Sequence, residues 1–273
     1  MPDDTNEHLR VQHLTGDLRG RSVRGAFSIL VFQTIQLALG LVSTATLARL
    51  LAPSDFGLIA MATAVSGFLS LFLELGLGAA AVQRSDLSQS QINTLFWINA
   101  AFGLVLAAVM AAAAPLVARF YSQPELLGVT LALSVCFITA GVSVQPAALL
   151  RRQMRFASQA TIDTVSFAVG IIAGVTAAAL GARYWALVYS RIVQQTAVAV
   201  GTCLVCRWRP TLTVHLRAVR SLLSFGVGLT GFNFLTCLSS NLDNVIIGRA
   251  TGTAALGLYL KSYSLLGQRS TVA

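Results

Sequence analysis

Between Tyr189 and Val198 the chain reads YSRIVQQTAV, an arginine followed three and four residues later by two glutamines. On a helix these spacings place Arg191, Gln194 and Gln195 on one face. A guanidinium donates two hydrogen bonds at once to a phosphate, and carboxamides both donate and accept, so this face could meet a diphosphate or a sugar. A second polar face runs through Asn233, Thr236, Ser240 and Asp243, and a third through Gln33, Gln36 and Gly40. Asp243 could bind a coupling proton or sodium ion, or pair with Arg191. Glu74 is in line with Ser66 and Ser70, and Asp163 with Gln159 and Ser166. These two carboxylates suit a gate at the inner end of the molecule. Each candidate has an ordinary alternative: Arg191 as a snorkelling or ion-paired cation, Asp243 as a solvated helix end, Glu74 and Asp163 as inter-helix hydrogen-bonding groups.

The elements that carry these residues are apolar. The 273 residues are 55% hydrophobic and 11% charged, against about 25% charged in a soluble domain; the mean hydropathy is +0.73. Apolar runs of about 20 residues cross the hydrocarbon core, and seven complete ones are expected at roughly 25–48, 56–82, 92–118, 126–150, 160–181, 184–206 and 222–248, with an eighth beginning near 255. In such surroundings an ionisable group costs about 2.5–3.5 kcal/mol on insertion scales, which is why Arg191, Asp243, Glu74 and Asp163 stand out. The polar stretch 1–24 has no apolar segment ahead of a small-residue cleavage site and reads as a cytosolic tail. Twelve arginines fall on the side of that tail (Arg10, Arg19, Arg21, Arg24, Arg84, Arg151, Arg152, Arg155, Arg207, Arg209, Arg217, Arg220) and four on the other (Arg49, Arg119, Arg183, Arg249). The excess places the N-terminus in the cytoplasm. Arg151, Arg152 and Arg155 form an inner basic loop suited to anionic lipid headgroups. The net charge of +9 reflects this asymmetry and does not point to nucleic acid.

Metal and nucleophile chemistry finds little support. Cys136, Cys203, Cys206 and Cys237 all lie in spans, and Cys203-x-x-Cys206 lacks the second ligand pair of a zinc site, so the thiols read as small apolar filling. His8, His13 and His215 form no cluster. No cofactor and no metal are implied. Gly170-x-x-x-Gly174 permits close helix approach and reads as packing within the bundle rather than as a dimer contact.

The first and seventh spans repeat one another at an offset of 200. Gln33 meets Asn233, Gln36 meets Thr236, Gly40 meets Ser240, and Ser43 and Thr44 meet Asp243 and Asn244; beyond them Arg49, Gly57 and Leu58 recur as Arg249, Gly257 and Leu258. Polar stripes on membrane helices face protein or a water-filled cavity, since an unsatisfied polar group in hydrocarbon costs several kcal/mol. Two such helices running in the same direction predict a parallel repeat, with a site between two six-helix lobes. The expected division is a tail at 1–24, a first transmembrane lobe at 25–206, an interfacial connector at 207–221 and the start of a second lobe at 222–273. Repeat logic asks for a chain of about 400 residues, so the second lobe is expected to be truncated. Arg49 and Arg249 are expected to anchor and cap the outer helix ends.

Four stretches carry a family resemblance: LARLLAPSDFGL from Leu47, ELGLGAAAVQR from Glu74, PAALLRRQMRF from Pro146 and DNVIIGRATGTAALGLY from Asp243. In order and spacing they resemble the polysaccharide flippases of the multidrug/oligosaccharidyl-lipid/polysaccharide exporter superfamily. The resemblance implies an all-α polytopic membrane protein of the bacterial inner membrane that moves polyprenyl-diphosphate-linked oligosaccharide for O-antigen, capsule or exopolysaccharide synthesis. It implies alternating access between two lobes, coupling to protons or sodium ions, and assembly with a polysaccharide polymerase. A cation-coupled drug exporter of the same superfamily, and an inactive or split fragment needing a separate C-terminal half, stay open beside it. An enzymatic role as glycosyltransferase or polymerase lacks paired carboxylates in a cytosolic domain and a large outer loop to hold a glycan.

Overall fold

A computed structural model describes residues 18–73, 89–206, 208, 210 and 211. Six helices make up nearly all of it: α1 Leu18–Leu50, α2 Pro53–Leu73, α3 Gln89–Tyr121, α4 Glu125–Arg152, α5 Phe156–Ala179 and α6 Trp185–Cys206. Each of the six spans expected before residue 207 overlaps one of them; the seventh, 222–248, lies outside the described residues. Among the described residues four stretches are long and apolar enough to cross a membrane: Leu30–Leu50, Gln89–Tyr121, Glu125–Arg152 and Phe156–Ala179. In α6 the average is diluted by Arg191, Gln194 and Gln195, the residues that single it out chemically. The description of α2 stops at Leu73. The protein is an all-α polytopic membrane protein.

The turns are short, and three of them place a non-glycine residue in the left-handed region: Ser122, Met154 and Arg183, with φ of 55°, 54° and 48°. Ser122 and Met154 follow α3 and α4, where a left-handed residue ends the helix and satisfies its last carbonyls; after α5 Gly181, with φ of 82°, takes that place, and Arg183 leads into α6. At the α1–α2 turn the Asp55 carboxylate accepts a hydrogen bond from the Ala52 backbone N–H at 3.2 Å and lies 3.9 Å from the Arg183 guanidinium in the α5–α6 turn. Asp55 is buried in the first turn of α2, where a negative charge is favoured by the helix dipole. This contact ties one end of the bundle together. Arg49 lies in the last turn of α1, at that same end.

The helices form a curved row. α3 packs on α4, α4 on α6, α6 on α5 and α5 on α1, while α2 lies against α4 and α3. Glycines set the spacing. A Cβ on Gly103 would stand 2.6 Å from the Phe137 carbonyl oxygen and 3.0 Å from the Cα of Gly141; one on Gly141 would stand 2.6 Å from the Asn99 carbonyl oxygen. α3 and α4 therefore touch backbone to backbone. The Gly170-x-x-x-Gly174 pair of α5 takes Gln194 and Ser190 of α6 in the same manner, each at 2.8 Å from the missing Cβ. This pair joins helices within the bundle.

Two buried clusters fill the ends. One joins Ile92, Leu95 and Phe96 of α3 to Leu149 and Leu150 of α4, Ile162, Cys206 and Trp208. The other joins Leu58 and Met61 of α2 to Val117, Leu126, Val129, Leu133 and Val188. α1 docks separately, through Leu47 and Leu51 against Ala178 and Ala186. Phe56 of α2 packs against the same cluster, and further along α1 meets α5 through Gln36 and Gly40. Among the described residues α1 and α2 otherwise touch little, which leaves an opening between them with α6 behind it.

Candidate functional site

α6 reaches the opening because its other sides are occupied. Ser190 and Gln194 pack on α5, and Val188 packs into the cluster shared by α2 and α4. Arg191 and Val198 lie on the arc between those two sides. The opposite arc, through Tyr189, Val200 and Leu204, is apolar or aromatic and exposed, as a lipid-facing surface should be. Arg191, Gln194 and Gln195 thus project toward the gap between α1 and α2, where two cavities lie.

The larger cavity, about 540 Å³, lies between α1, α5 and α6 and reaches the end of α4. Gln33 and Gln36 of α1, Arg151 of α4, Gln159 and Asp163 of α5 and Gln194 of α6 all line it. Its apolar wall comes from Phe32, Phe156, Phe167 and Val198. The Gln36 carboxamide donates to the Thr164 hydroxyl at 3.0 Å, joining α1 to α5 across its floor. The Gln159 amide donates to the Asp163 carboxylate at 3.0 Å. Arg151 stands at the mouth and brings a cation to the same space as Asp163.

The smaller cavity, about 170 Å³, lies between α2, α4 and α6. Arg191 and Gln195 form one wall, Thr63, Ser66, Gly67 and Ser70 another, and Cys136 and Phe137 the third. The Arg191 guanidinium approaches the Gln194 side-chain oxygen at 3.5 Å. That contact is the bridge between the two cavities, since Gln194 lines the larger and Arg191 the smaller.

The sequence-based candidates therefore divide. Gln33, Gln36, Gln194, Asp163 and Arg151 come together around one cavity, and Arg191 faces its neighbour. Arg155 is exposed and donates to the Val205 carbonyl at 3.3 Å, bracing the α4–α5 turn against the end of α6. Arg152 is buried, at 6% exposure. Glu74, Asn233, Thr236 and Asp243 lie outside the described residues. Thr63, Gly67, Cys136 and Thr164 are lining or contact residues that the sequence reading did not single out. The spacing of Thr63, Ser66 and Ser70 by three and four was a usable signal, already noted for the two serines. Cys136 gave none, because an apolar run hides which of its members faces a cavity. Among the described residues no group of three His, Cys, Asp or Glu side chains is placed to hold a metal ion.

The segment after α6 is also anchored. The Trp97 indole donates to the Thr211 carbonyl at 3.0 Å, the Thr211 N–H donates to the Asn93 side-chain oxygen at 3.4 Å, and the Asn93 amide donates to the Thr211 hydroxyl. Trp208 packs against Phe96 with ring centroids 5.5 Å apart. The chain beyond Cys206 leaves across the N-terminal end of α3.

The sequence matches those of known proteins of one kind. The teichuronic acid biosynthesis protein TuaB of Bacillus subtilis is 29% identical over 201 residues, covering 73% of this chain and 42% of its own length. The lipopolysaccharide biosynthesis protein WzxC of Escherichia coli is 26% identical over 254 residues, 91% of this chain and 51% of that protein. The succinoglycan biosynthesis transport protein ExoT of Rhizobium meliloti is 28% identical over 228 residues, 83% of this chain and 46% of that protein. The chain spans about half the length of these relatives. No solved structure matches it. Residues 46–271, well over half of the sequence, match the family described as polysaccharide biosynthesis protein, and the chain belongs to that family.

Proposed function

We propose that this chain carries the first lobe, and the start of the second, of a flippase that moves polyprenyl-diphosphate-linked oligosaccharide across the bacterial inner membrane for surface polysaccharide synthesis. The observation that carries this reading is the polar lining of an opening in an otherwise apolar bundle. Carboxamides from α1 and α6, a carboxylate on α5 and arginines at two depths surround space that hydrocarbon would not stabilise. In this reading the opening faces a second lobe beginning near residue 222, and rocking of the two lobes exposes the cavities alternately to either side. The Arg151 end is cytoplasmic. Arg151 and Arg155, both exposed at that end, meet the lipid diphosphate or anionic headgroups, whereas buried Arg152 supports the turn. Asp163, hydrogen-bonded to Gln159, serves as an inner gate or as the group that takes a coupling proton or sodium ion. Glu74 and Asp243 keep the same candidate roles from sequence alone. A polysaccharide polymerase or assembly protein is the expected partner.

The test is leaflet-specific labelling of lipid-linked glycan in a strain lacking the gene, with the gene restored as control. The reading requires glycan to accumulate in the inner leaflet and surface polysaccharide to fall, with drug susceptibility unchanged. Heightened drug sensitivity with normal glycan distribution would instead make the protein a drug exporter.

A further inference from the structure

Gly67 stands on the wall of the smaller cavity, and packing does not account for it. Every other helical glycine whose surroundings are described has a neighbour within 4 Å of its missing Cβ, from Gly40 beside Phe167 to Gly201 beside Ile162. A Cβ on Gly67 would meet nothing among the described residues. Glycine weakens a helix interior relative to alanine, so one that makes room for no neighbouring helix marks space used by something else. The same wall carries three hydroxyls with a shared orientation. Thr63 donates to the carbonyls of Ile59 and Ala60 at 2.9 and 3.1 Å, Ser66 to that of Thr63 at 3.1 Å and Ser70 to that of Gly67 at 2.7 Å. While those bonds hold, the hydroxyl oxygens present their lone pairs to the cavity. Opposite them, Arg191 offers only donors and Gln195 both kinds of group.

This combination disfavours a diphosphate, whose oxygens accept and carry negative charge; on the α2 side it would meet lone pairs. A sugar ring fits it. Each sugar hydroxyl donates and accepts at once, so one ring can donate to Thr63, Ser66 and Ser70 while accepting from Arg191. We propose that the cavity between α2, α4 and α6 is a subsite for a sugar ring of the lipid-linked glycan, and that Gly67 admits the ring to the α2 backbone. The proposal rests on the transport reading above and assigns the glycan, rather than the diphosphate, to this cavity.

Cys136, a native thiol on the third wall, reports on it. The full chain in detergent is treated with N-ethylmaleimide, and modification of Cys136 is followed by peptide mass spectrometry. Two probes are compared: the polyprenyl-diphosphate glycan fraction of the organism's own membranes, and undecaprenyl diphosphate without sugar. At about ten times its dissociation constant the glycan lipid should slow Cys136 modification on the order of tenfold by mass action, while the bare lipid should not. Gly67→Leu should abolish the protection, and Gly67→Ala should weaken it. Both variants must keep the unliganded rate at Cys136, which shows that the bundle is intact; should Gly67→Leu fail this, Gly67→Ala and Ser66→Ala carry the test. Equal protection by both probes overturns the sugar subsite and leaves transport standing. Protection by neither overturns the transport reading with it. Protection that survives Gly67→Leu removes Gly67 from the site.

Discussion

At the scale of single residues, Arg191 combines charge, shape and position. Its contact to Gln194 is 3.5 Å, long for a charged donor, and uses one of its five N–H groups, so the guanidinium on the cavity wall keeps most of its capacity to donate. A lysine at 191 would keep the charge and lose the planar fork that serves two acceptors together. Arg191→Lys and Arg191→Ala are therefore both expected to lower glycan export, Lys leaving no more than about a tenth of it. Leaflet-specific labelling at matched protein levels measures this. Full activity of Arg191→Lys would show that charge alone suffices. The residue was legible in the sequence because an arginine within an apolar run is costly, and its glutamines at three and four fixed the face. Its separation from Gln33, Gln36 and Asp163 was not legible. Spacing assigns residues to a face of their own helix and says nothing about which gap that face looks into.

Between elements, close contacts at glycine decide how far the helices stand apart. Gly103 and Gly141 each have a backbone carbonyl 2.6 Å from the position of a Cβ, and neither carbonyl can swing aside without bending its helix. Gly103→Ala and Gly141→Ala should destabilise the protein by about 1–3 kcal/mol each, as overpacked sites do. Gly67→Ala, whose Cβ meets nothing among the described residues, should instead stabilise it by about 0.5–1 kcal/mol. Thermal loss of helical circular dichroism in detergent should rank them so; an equal drop for all three would mean that the α3–α4 contact is looser than described. The helices themselves were largely visible as apolar runs. Their polar ends were not: α1 begins at Leu18 and α3 at Gln89, ahead of the apolar stretches expected from 25 and 92. Helical turns with Arg19, Arg21 or Gln91 carry no apolar signal. Nor could composition show that Asn93 and Trp97 hold Thr211, since those bonds join positions more than 110 apart in sequence.

For the whole molecule, the question is which surface is wet. α1 exposes apolar residues on several sides, including Leu30, Leu37, Leu41 and Val42, and among the described residues packs mainly on α5, with Ala186 of α6 and Phe56 of α2 beside its C-terminal end. A helix so placed meets lipid on one side and either water or further protein on the other. In the proposed reading the second side meets a partner lobe, and the cavities behind α1 lie between the two. Engineered cysteines separate the alternatives. With the native cysteines replaced, Gln36→Cys and Gln195→Cys should react with a membrane-impermeant maleimide, whereas Val200→Cys and Leu204→Cys, on the opposite arc of α6, should not. Vesicle sidedness adds the direction. Gln36→Cys lies in the cavity whose mouth holds Arg151 and should react from the cytoplasmic face, in keeping with the excess of arginine expected there. Labelling of Gln36→Cys from the outer face alone would invert the proposed orientation. Labelling on neither face, with Val200→Cys equally silent, would place α1 against acyl chains and remove the passage on which the transport reading depends.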